Sequence, residues 1–258
     1  MKILYIGDTV GNAGRTIVKH YLNGFREEFK IDVTILNCEN AAAGFGITPK
    51  IADEFFDWGI DVLTSGNHVW DKKEIIPYLE KNSRILRPAN YPRDNPGQGL
   101  TVLKTRSGDE VAVLNLQGRV FMTPIDDPFR TADTELAKLP ATVKIIFVDM
   151  HAEATSEKVA MGWYLDGRVS AVIGSHTHIP TADETILPKG TAYLTDAGMS
   201  GPFDSVVGVV RDQIIQRFLT QIPMRLDASS QDARLNAVVI DIDSVTGKAR
   251  NIQRIQRK

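Results

Sequence analysis

Five short apolar runs in this chain each stop at a residue able to ligate a metal, and that recurrence constrains the fold more than any other feature. Ile3 to Ile6 ends at Gly7-Asp8, Val33 to Leu36 at Asn37-Cys38-Glu39-Asn40, and Asp61 to Thr64 at Ser65-Gly66-Asn67-His68. Val143 to Val148 ends at Asp149-Met150-His151, and Val169 to Ile173 at Gly174-Ser175-His176-Thr177-His178. The runs are short and rich in β-branched residues, which reads as buried strand. Between them, Ile17, Tyr21, Leu22 and Phe25 recur at helical spacing within Gly14–Phe29. Helices are also expected over Pro49–Trp58, Lys72–Lys81, Arg130–Leu139, Ser156–Leu165 and Arg211–Gln221, with Pro49 suited to a first turn. Strands alternating with helices predict an α/β sheet with crossover helices.

Two hairpins interrupt that order. Leu100–Thr105 and Glu110–Leu116 flank Arg106-Ser107-Gly108-Asp109, while Ala237–Ile242 and Ala249–Ile255 flank Ser244-Val245-Thr246-Gly247. Arg84 to Pro96, rich in Pro and Asn, reads as a loop around a short strand. The early βα units look like half of a doubly wound sheet, and the hairpins suggest a second, more antiparallel one. The expected fold is a four-layer α/β/β/α sandwich: two mixed sheets face to face with helices outside. The chain shows no repeat and no linker, and 258 residues suit one domain over 1–258.

Composition narrows the function. Thirty basic against 32 acidic side chains give a charge of −2, so no broad basic field exists to hold long nucleic acid by counterion release. A small anion is still admissible, because a local site supplies its own positive charge. The lone Cys38 excludes an intrachain disulfide and any all-thiolate metal site. The N-terminal run meets Asp8 too early for a signal peptide, and no later run is long enough to span a bilayer. A cytoplasmic protein is expected.

Parallel strands in successive units bring their carboxyl ends to one edge, where α/β proteins place ligands. Asp8, Glu39 and Asn67 lie 31 and 28 positions apart, about one βαβ unit each. Asp8, Glu39, Asn40, Asn67, His151, His176 and His178 offer oxygen and nitrogen without thiolate, which suits Mn, Fe or Zn. Seven groups exceed the needs of one catalytic metal, whereas two metals bridged by a carboxylate would use them all. His176 and His178 point the same way if their segment is extended, so adjacent metals could each take one.

Each residue alone has a plainer reading. A strand-end Asp is most often a turn or cap residue, and a lone His is more often a structural hydrogen-bonding group. Five strand ends finishing in ligand chemistry together outweigh those readings. His20 falls mid-helix and is set aside, Cys38 reads as a small core residue, and Thr9 and Thr177 as loop hydrogen bonders. Gly7, Gly11 and Gly14 with Glu39 loosely match a dinucleotide fingerprint, but the spacing departs from G-x-G-x-x-G. That reading also leaves Asn67, His151, His176 and His178 without a role.

Gly7-Asp8, Gly66-Asn67-His68 and Gly174-Ser175-His176-Thr177-His178 resemble the signature blocks of the calcineurin-like metallophosphoesterases. Two departures stand out: Val10 occupies the place of a ligand His in the first block, and Asn37-Cys38-Glu39-Asn40 replaces the second. With Asp149-Met150-His151-Ala152-Glu153 these departures resemble the bacterial YmdB-like subgroup, described as 2′,3′-cyclic-nucleotide phosphodiesterases, from Met1 into the last hairpin.

The resemblance implies that Asp8, Asn40 and His178 hold one metal, that Asn67, His151 and His176 hold the second, and that Glu39 bridges them. Fe or Mn are the first expectations, with Zn or Mg as alternatives. It also implies that His68 is catalytic, donating a proton to the departing ribose oxygen as a metal-activated hydroxide attacks phosphorus. The expected substrate is a small cyclic nucleotide, most of all a 2′,3′-cyclic nucleoside monophosphate, and a homo-oligomer is expected. A phosphoprotein phosphatase or nuclease on the same core is the alternative. A regulatory nucleotide sensor with incidental turnover is an alternative of another class. The segments Ala43-Gly44-Phe45-Gly46 and Met199-Ser200-Gly201-Pro202 are left open between a pocket wall and a subunit contact.

Overall fold

In the computed structural model, which describes residues 1–258, the apolar runs pair as their alternation requires. β1 (Lys2–Ile6), β2 (Val33–Asn37) and β3 (Val62–Thr64) are parallel, with Ile3 opposite Val33 and Ile35 opposite Val62. The crossovers are α1 (Gly11–Phe29) and α2 (Pro49–Asp57). Thr48 caps α2 by accepting from Ile51 N, and Pro49 occupies the first turn, where its missing N–H costs nothing.

The second sheet runs β4 (Leu100–Lys104), β5 (Glu110–Gln117), β6 (Ile145–His151), β7 (Ala171–Ser175), then β9 (Ala192–Leu194) and β8 (Thr185–Ile186). β5, β6, β7 and β9 are parallel, and β4 and β8 close the edges antiparallel. On the far side of β1 the first sheet continues with β11 (Ala233–Ile242), antiparallel, Ile3 facing Ile240. β11 also pairs with β12 (Ala249–Arg257) and with the two-residue β10 (Gly201–Pro202).

Period-two alternation sorts the side chains into layers. In β1, Ile3 and Tyr5 face the other sheet beside Val113, Phe147 and Ile173, while Leu4 and Ile6 face Val18, Leu22 and Phe25 of α1. A third core joins Leu114, Val148 and Met150 to Met161 and Leu165 of α5 (Thr155–Leu165). Three apolar interfaces separate four layers, so the structure has the expected α/β/β/α order. Each Val, Leu, Ile or Phe that leaves water completely contributes roughly 1.5–3 kcal/mol, which makes the doubly buried strands the frame on which loops are hung.

Several expectations needed correction. The last hairpin joins the first sheet rather than a second one, and the second sheet is parallel at its centre. The reason lies in β11: Leu235, Ala237 and Val239 feed the helix-side core, and Val238, Ile240 and Ile242 the core between sheets. A strand buried on both faces belongs inside a sheet. The helix expected over Lys72–Lys81 is 3₁₀ turns at Asn67–Trp70 and Lys73–Ile75 followed by α3 (Ile76–Lys81). Pro77 cannot donate a backbone hydrogen bond, so it belongs in a first turn and the regular helix starts beside it. Likewise α4 (Pro128–Leu136) begins two residues before the expected Arg130, because Asp127 accepts from Phe129 N and Arg130 N as its cap. The remaining helix, α6 (Arg211–Thr220), buries none of its residues. No helix is long and apolar enough to cross a membrane.

Candidate metal centre

The carboxyl ends of β1, β2 and β3 meet those of β6 and β7 at one edge of the sandwich. Asp8 and Glu39 are buried there, and Asn40 nearly so. The two sheets touch through these groups: Asp8 Oδ2 accepts from His176 N at 3.2 Å, and Glu39 Oε1 lies 3.1 Å from His151 Nε2. Asn67 Oδ1 is 3.1 Å from the same nitrogen, and His176 Nδ1 is 3.0 Å from it. His178 Nε2 lies 3.3 Å from Asn40 Oδ1. All seven donor side chains singled out in the sequence therefore converge. Gly66 lets them: a Cβ there would overlap His151 Nε2 and Glu39 Oε2.

The segment carrying His176 and His178 is not extended, so the condition under which both side chains would point the same way by strand alternation is not met. Both residues have left-handed backbones, with φ of 97° and 66°, a conformation that costs a non-glycine residue of order 1–3 kcal/mol in sparsely populated regions. A buried ion pair holds the turn. Lys158 Nζ donates to Ser175 O at 2.8 Å and to Asp196 Oδ2 at 2.6 Å, and Asp196 Oδ2 also accepts from Thr177 N and Oγ1 at 3.2 and 2.7 Å.

The imidazoles of His151, His176 and His178 each have one nitrogen committed outward. His178 Nδ1–H donates to Val207 O at 2.7 Å, and His176 Nε2–H to Glu153 Oε2 at 3.1 Å. His151 Nδ1 is 2.9 Å from Ser175 Oγ, whose own proton goes to Asp149 Oδ1 at 2.6 Å, so Nδ1–H is the donor. Each ring is left with a lone pair on the nitrogen that faces the centre. Outer partners of this kind fix tautomer and orientation in metal sites. Asn40 is oriented the same way, its Nδ2 donating to Gly44 O at 3.0 Å and its Oδ1 turned inward.

Lone pair thus faces lone pair, which water-free protein chemistry does not tolerate unless a proton or a cation lies between. Protons fill that role in the polypeptide by itself. Burial opposes charge on His151, but Glu39, with Asp8 and Asp149, outweighs it and holds the imidazole up at about 9. Burial likewise works against the Glu39 anion, yet His151 pulls it down to about 2. Burial lifts Asp8 to about 6 despite His178 and His151, and burial with the neighbouring His151 pushes His176 down to about 3. Asp8 Oδ1 is buried with no hydrogen-bond partner at all. Two groups of donor atoms, Glu39-His151-His176 and Asp8-Glu39-His178, each lie within 4.8 Å of one another and share Glu39. An orphaned carboxylate oxygen and inward lone pairs are what a bound cation satisfies, so the residues fit one.

His68 stands beside the cluster in the 3₁₀ turn Asn67–Trp70, its backbone N donating to Glu39 Oε2 at 3.2 Å. Its Nδ1–H donates to Asp71 Oδ2 at 2.8 Å, and Phe45 packs edge-on against its ring. The sequence reading missed the supporting groups Asp71, Asp149, Lys158, Ser175 and Asp196. An Asp in the middle of an apolar strand, as in Phe147-Val148-Asp149, and a Lys on a helix's buried side were the available signals.

Fold and donor set together are those of a metallophosphoesterase. The chain belongs to the YmdB-like protein family, whose model matches residues 4–255. It is 51% identical over 255 residues to the 2′,3′-cyclic-nucleotide 2′-phosphodiesterase of Bacillus subtilis (strain 168), covering 99% of this chain and 96% of that protein. The crystal structure of a hypothetical protein from Thermus thermophilus superposes with a TM-score of 0.94 at 39% identity, over 100% of this chain and 99% of that one. A phosphatase from Mycoplasma pneumoniae gives 0.94 at 33% identity, over 100% and 93%.

Proposed function

We propose that this chain, acting as one domain over residues 1–258, is a dinuclear-metal phosphodiesterase that hydrolyses small cyclic nucleotides, above all 2′,3′-cyclic nucleoside monophosphates. The observation that carries the proposal is the pair of donor groups sharing Glu39, found in a chain 51% identical to a protein named for that activity. Asp8, Asn40 and His178 would hold one ion and Asn67, His151 and His176 the other, with Glu39 between them. The oxygen-and-nitrogen donor set suits Fe or Mn first, then Zn or Mg. Two such ions would supply Lewis acidity toward the phosphate oxygens and would lower the pKa of a water, making its hydroxide form available as the nucleophile.

The protein's part is position and proton traffic. Asp71 holds His68 by Nδ1, leaving Nε2 as the nitrogen from which a proton passes to the departing ribose oxygen. The backbone bond from His68 to Glu39 ties that donor to the carboxylate at the centre of the cluster. A strained five-membered cyclic phosphate asks little more of the site than this. Self-association and a cytoplasmic location complete the proposal, the former supported by the exposed Ile215, Phe218, Leu219 and Ile222 on and after α6.

Purified Mn²⁺-loaded protein should be assayed against 2′,3′-cyclic AMP, 3′,5′-cyclic AMP, a phosphopeptide and a short RNA. Turnover of the 2′,3′-cyclic ester well above the others is expected. Preferential release of phosphate from the peptide, or cutting of the RNA, would replace this reading with a phosphatase or a nuclease.

A further inference from the structure

Phe45 is an aromatic residue without a place in any core. Six of the ten phenylalanines belong to the three hydrophobic clusters or their partly buried neighbours; Phe45, Phe121, Phe203 and Phe218 do not, and of these four Phe45 is the one whose ring packs on His68. Its ring is only half-buried, and its aromatic contact is with His68, centroid to centroid 5.1 Å at 64°.

The chain goes to some length to present that ring. Ala43, Gly44 and Gly46 have left-handed backbones, with φ of 59°, 95° and 74°, and fold residues 41–46 into a tight turn directly after Asn40. Asn40 Nδ2 ties the turn down through Gly44 O. At Gly46 a Cβ would come within 2.9 Å of Lys72 Cγ and 3.3 Å of Asp71 Cβ. Glycine, with no Cβ to crowd Lys72 and Asp71, suits the close approach of this turn to the segment whose Asp71 holds His68. A ring delivered to a catalytic position, from a loop that also carries an inward-facing ligand, is poorly explained by stability.

We propose that Phe45 forms the nucleobase face of the substrate site, taking a purine or pyrimidine by stacking. This rests on the phosphodiesterase reading and deepens it. With the phosphate over the cluster and His68 at the departing ribose oxygen, the sugar and its base extend past His68. Phe45, whose ring touches that of His68, then lies within reach of the base. Stacking is tolerant of base identity, because every base offers a π-face, so the site would select nucleotides as a class rather than one base. The turn Ala43–Gly46 is then a pocket wall and not a subunit contact.

The test compares 2′,3′-cyclic AMP with ribose 2,3-cyclic phosphate, which has the same reacting ring and no base, in wild type, Phe45→Ala and Phe45→Tyr. Phe45→Ala should lose roughly 5- to 150-fold in kcat/KM on the nucleotide, the range typical for removing one base–aromatic stack. The loss should appear chiefly in KM and be several-fold larger than on the base-less ester, whose kcat/KM should stay within about twofold of wild type. Phe45→Tyr should recover most of it. Calorimetric titration of the Mn²⁺-loaded proteins should show weaker adenosine 3′-monophosphate binding in Phe45→Ala, with a far smaller change for inorganic phosphate. Equal losses on both esters, carried by kcat, would mean that the ring merely holds His68 and would overturn the proposal. So would equal performance of Phe45→Ala and wild type on the nucleotide. If wild type hydrolyses neither ester, the phosphodiesterase reading itself falls and takes this inference with it.

Discussion

Ser175 gives its hydroxyl proton to Asp149 at 2.6 Å and so can only accept from His151, whose Nδ1 lies 2.9 Å away. Asp149 in turn accepts from Tyr5 at 2.8 Å, from Asn37 at 3.1 Å and from Thr64. One fully buried carboxylate thereby links β1, β2 and β3 to β6 and β7 underneath the donor cluster. A buried anion with four donors is satisfied where an unpaired one would be prohibitive.

Ser175→Ala breaks this relay while leaving Asp149 three donors. The variant should fold and bind Mn²⁺ roughly 10–100-fold more weakly in a competition titration. Wild-type affinity would show that Ser175 does not govern His151.

Lys158 and Asp196 form a buried ion pair behind the His176–His178 turn, 2.6 Å apart and both shielded from water. Removing one partner from such a pair costs about 3–5 kcal/mol, since the other is left charged in a poor solvent. Lys158→Met should lower Tm by about 6–15 °C at this chain length. The double variant Lys158→Met/Asp196→Asn should recover part of that loss in calorimetry; strictly additive losses would mean that the two groups are not coupled.

The pH dependence follows from His151. Its folded value of about 9 exceeds the ordinary 6.5, so in protein stripped of metal its contribution to stability is complete below about 6.5 and is lost as pH rises through 9. A metal ion needs the same nitrogen unprotonated, so its affinity climbs over that window. The Tm gap between Mn²⁺-loaded and chelator-stripped protein should therefore widen from pH 6.5 to 9. A gap that is constant or narrows would contradict the assignment of His151 as a ligand.

Gly66→Ala should cost metal rather than fold. The new methyl would overlap His151 and Glu39, and those side chains must then turn away. Mass spectrometry under native conditions should find the variant largely metal-free; full occupancy would place the centre elsewhere.

His68→Ala and Glu39→Ala separate chemistry from metal binding. The first should lower kcat by about 10²–10⁴ with metal content retained, and the second should lose both ions together. Retention of two ions in Glu39→Ala would exclude it as the shared ligand.

Much of this site was legible because strand ends are legible. Asp8, Glu39, Asn67, His151 and His176 each terminate an apolar run, and parallel pairing makes such ends neighbours without further information. The turn at His176–His178 was not legible, because the forces that hold two histidines at positive φ come from Lys158 and Asp196, on elements either side of it in the sequence. Asp149 looked like part of a strand end for the same reason, since its donors Tyr5, Asn37 and Thr64 sit on the opposite sheet. The placement of the last hairpin was hidden by its turn, which says that β11 and β12 pair but not which sheet they join. Only the two-sided burial of β11 decides that.

β1 lies between β2 and β11, with Ile3 facing Val33 on one side and Ile240 on the other. One neighbour follows within a few tens of residues, and the other comes almost last. A growing chain therefore carries β1 for nearly the whole of synthesis with one edge unpaired, and such an edge invites pairing with the wrong strand. Because Asp8 leaves directly from that strand, its position is not secured until β11 arrives. Pairings closed over so long a stretch of chain form slowly. A polypeptide interrupted before residue 233 would own every proposed ligand and still lack the strand that completes their frame.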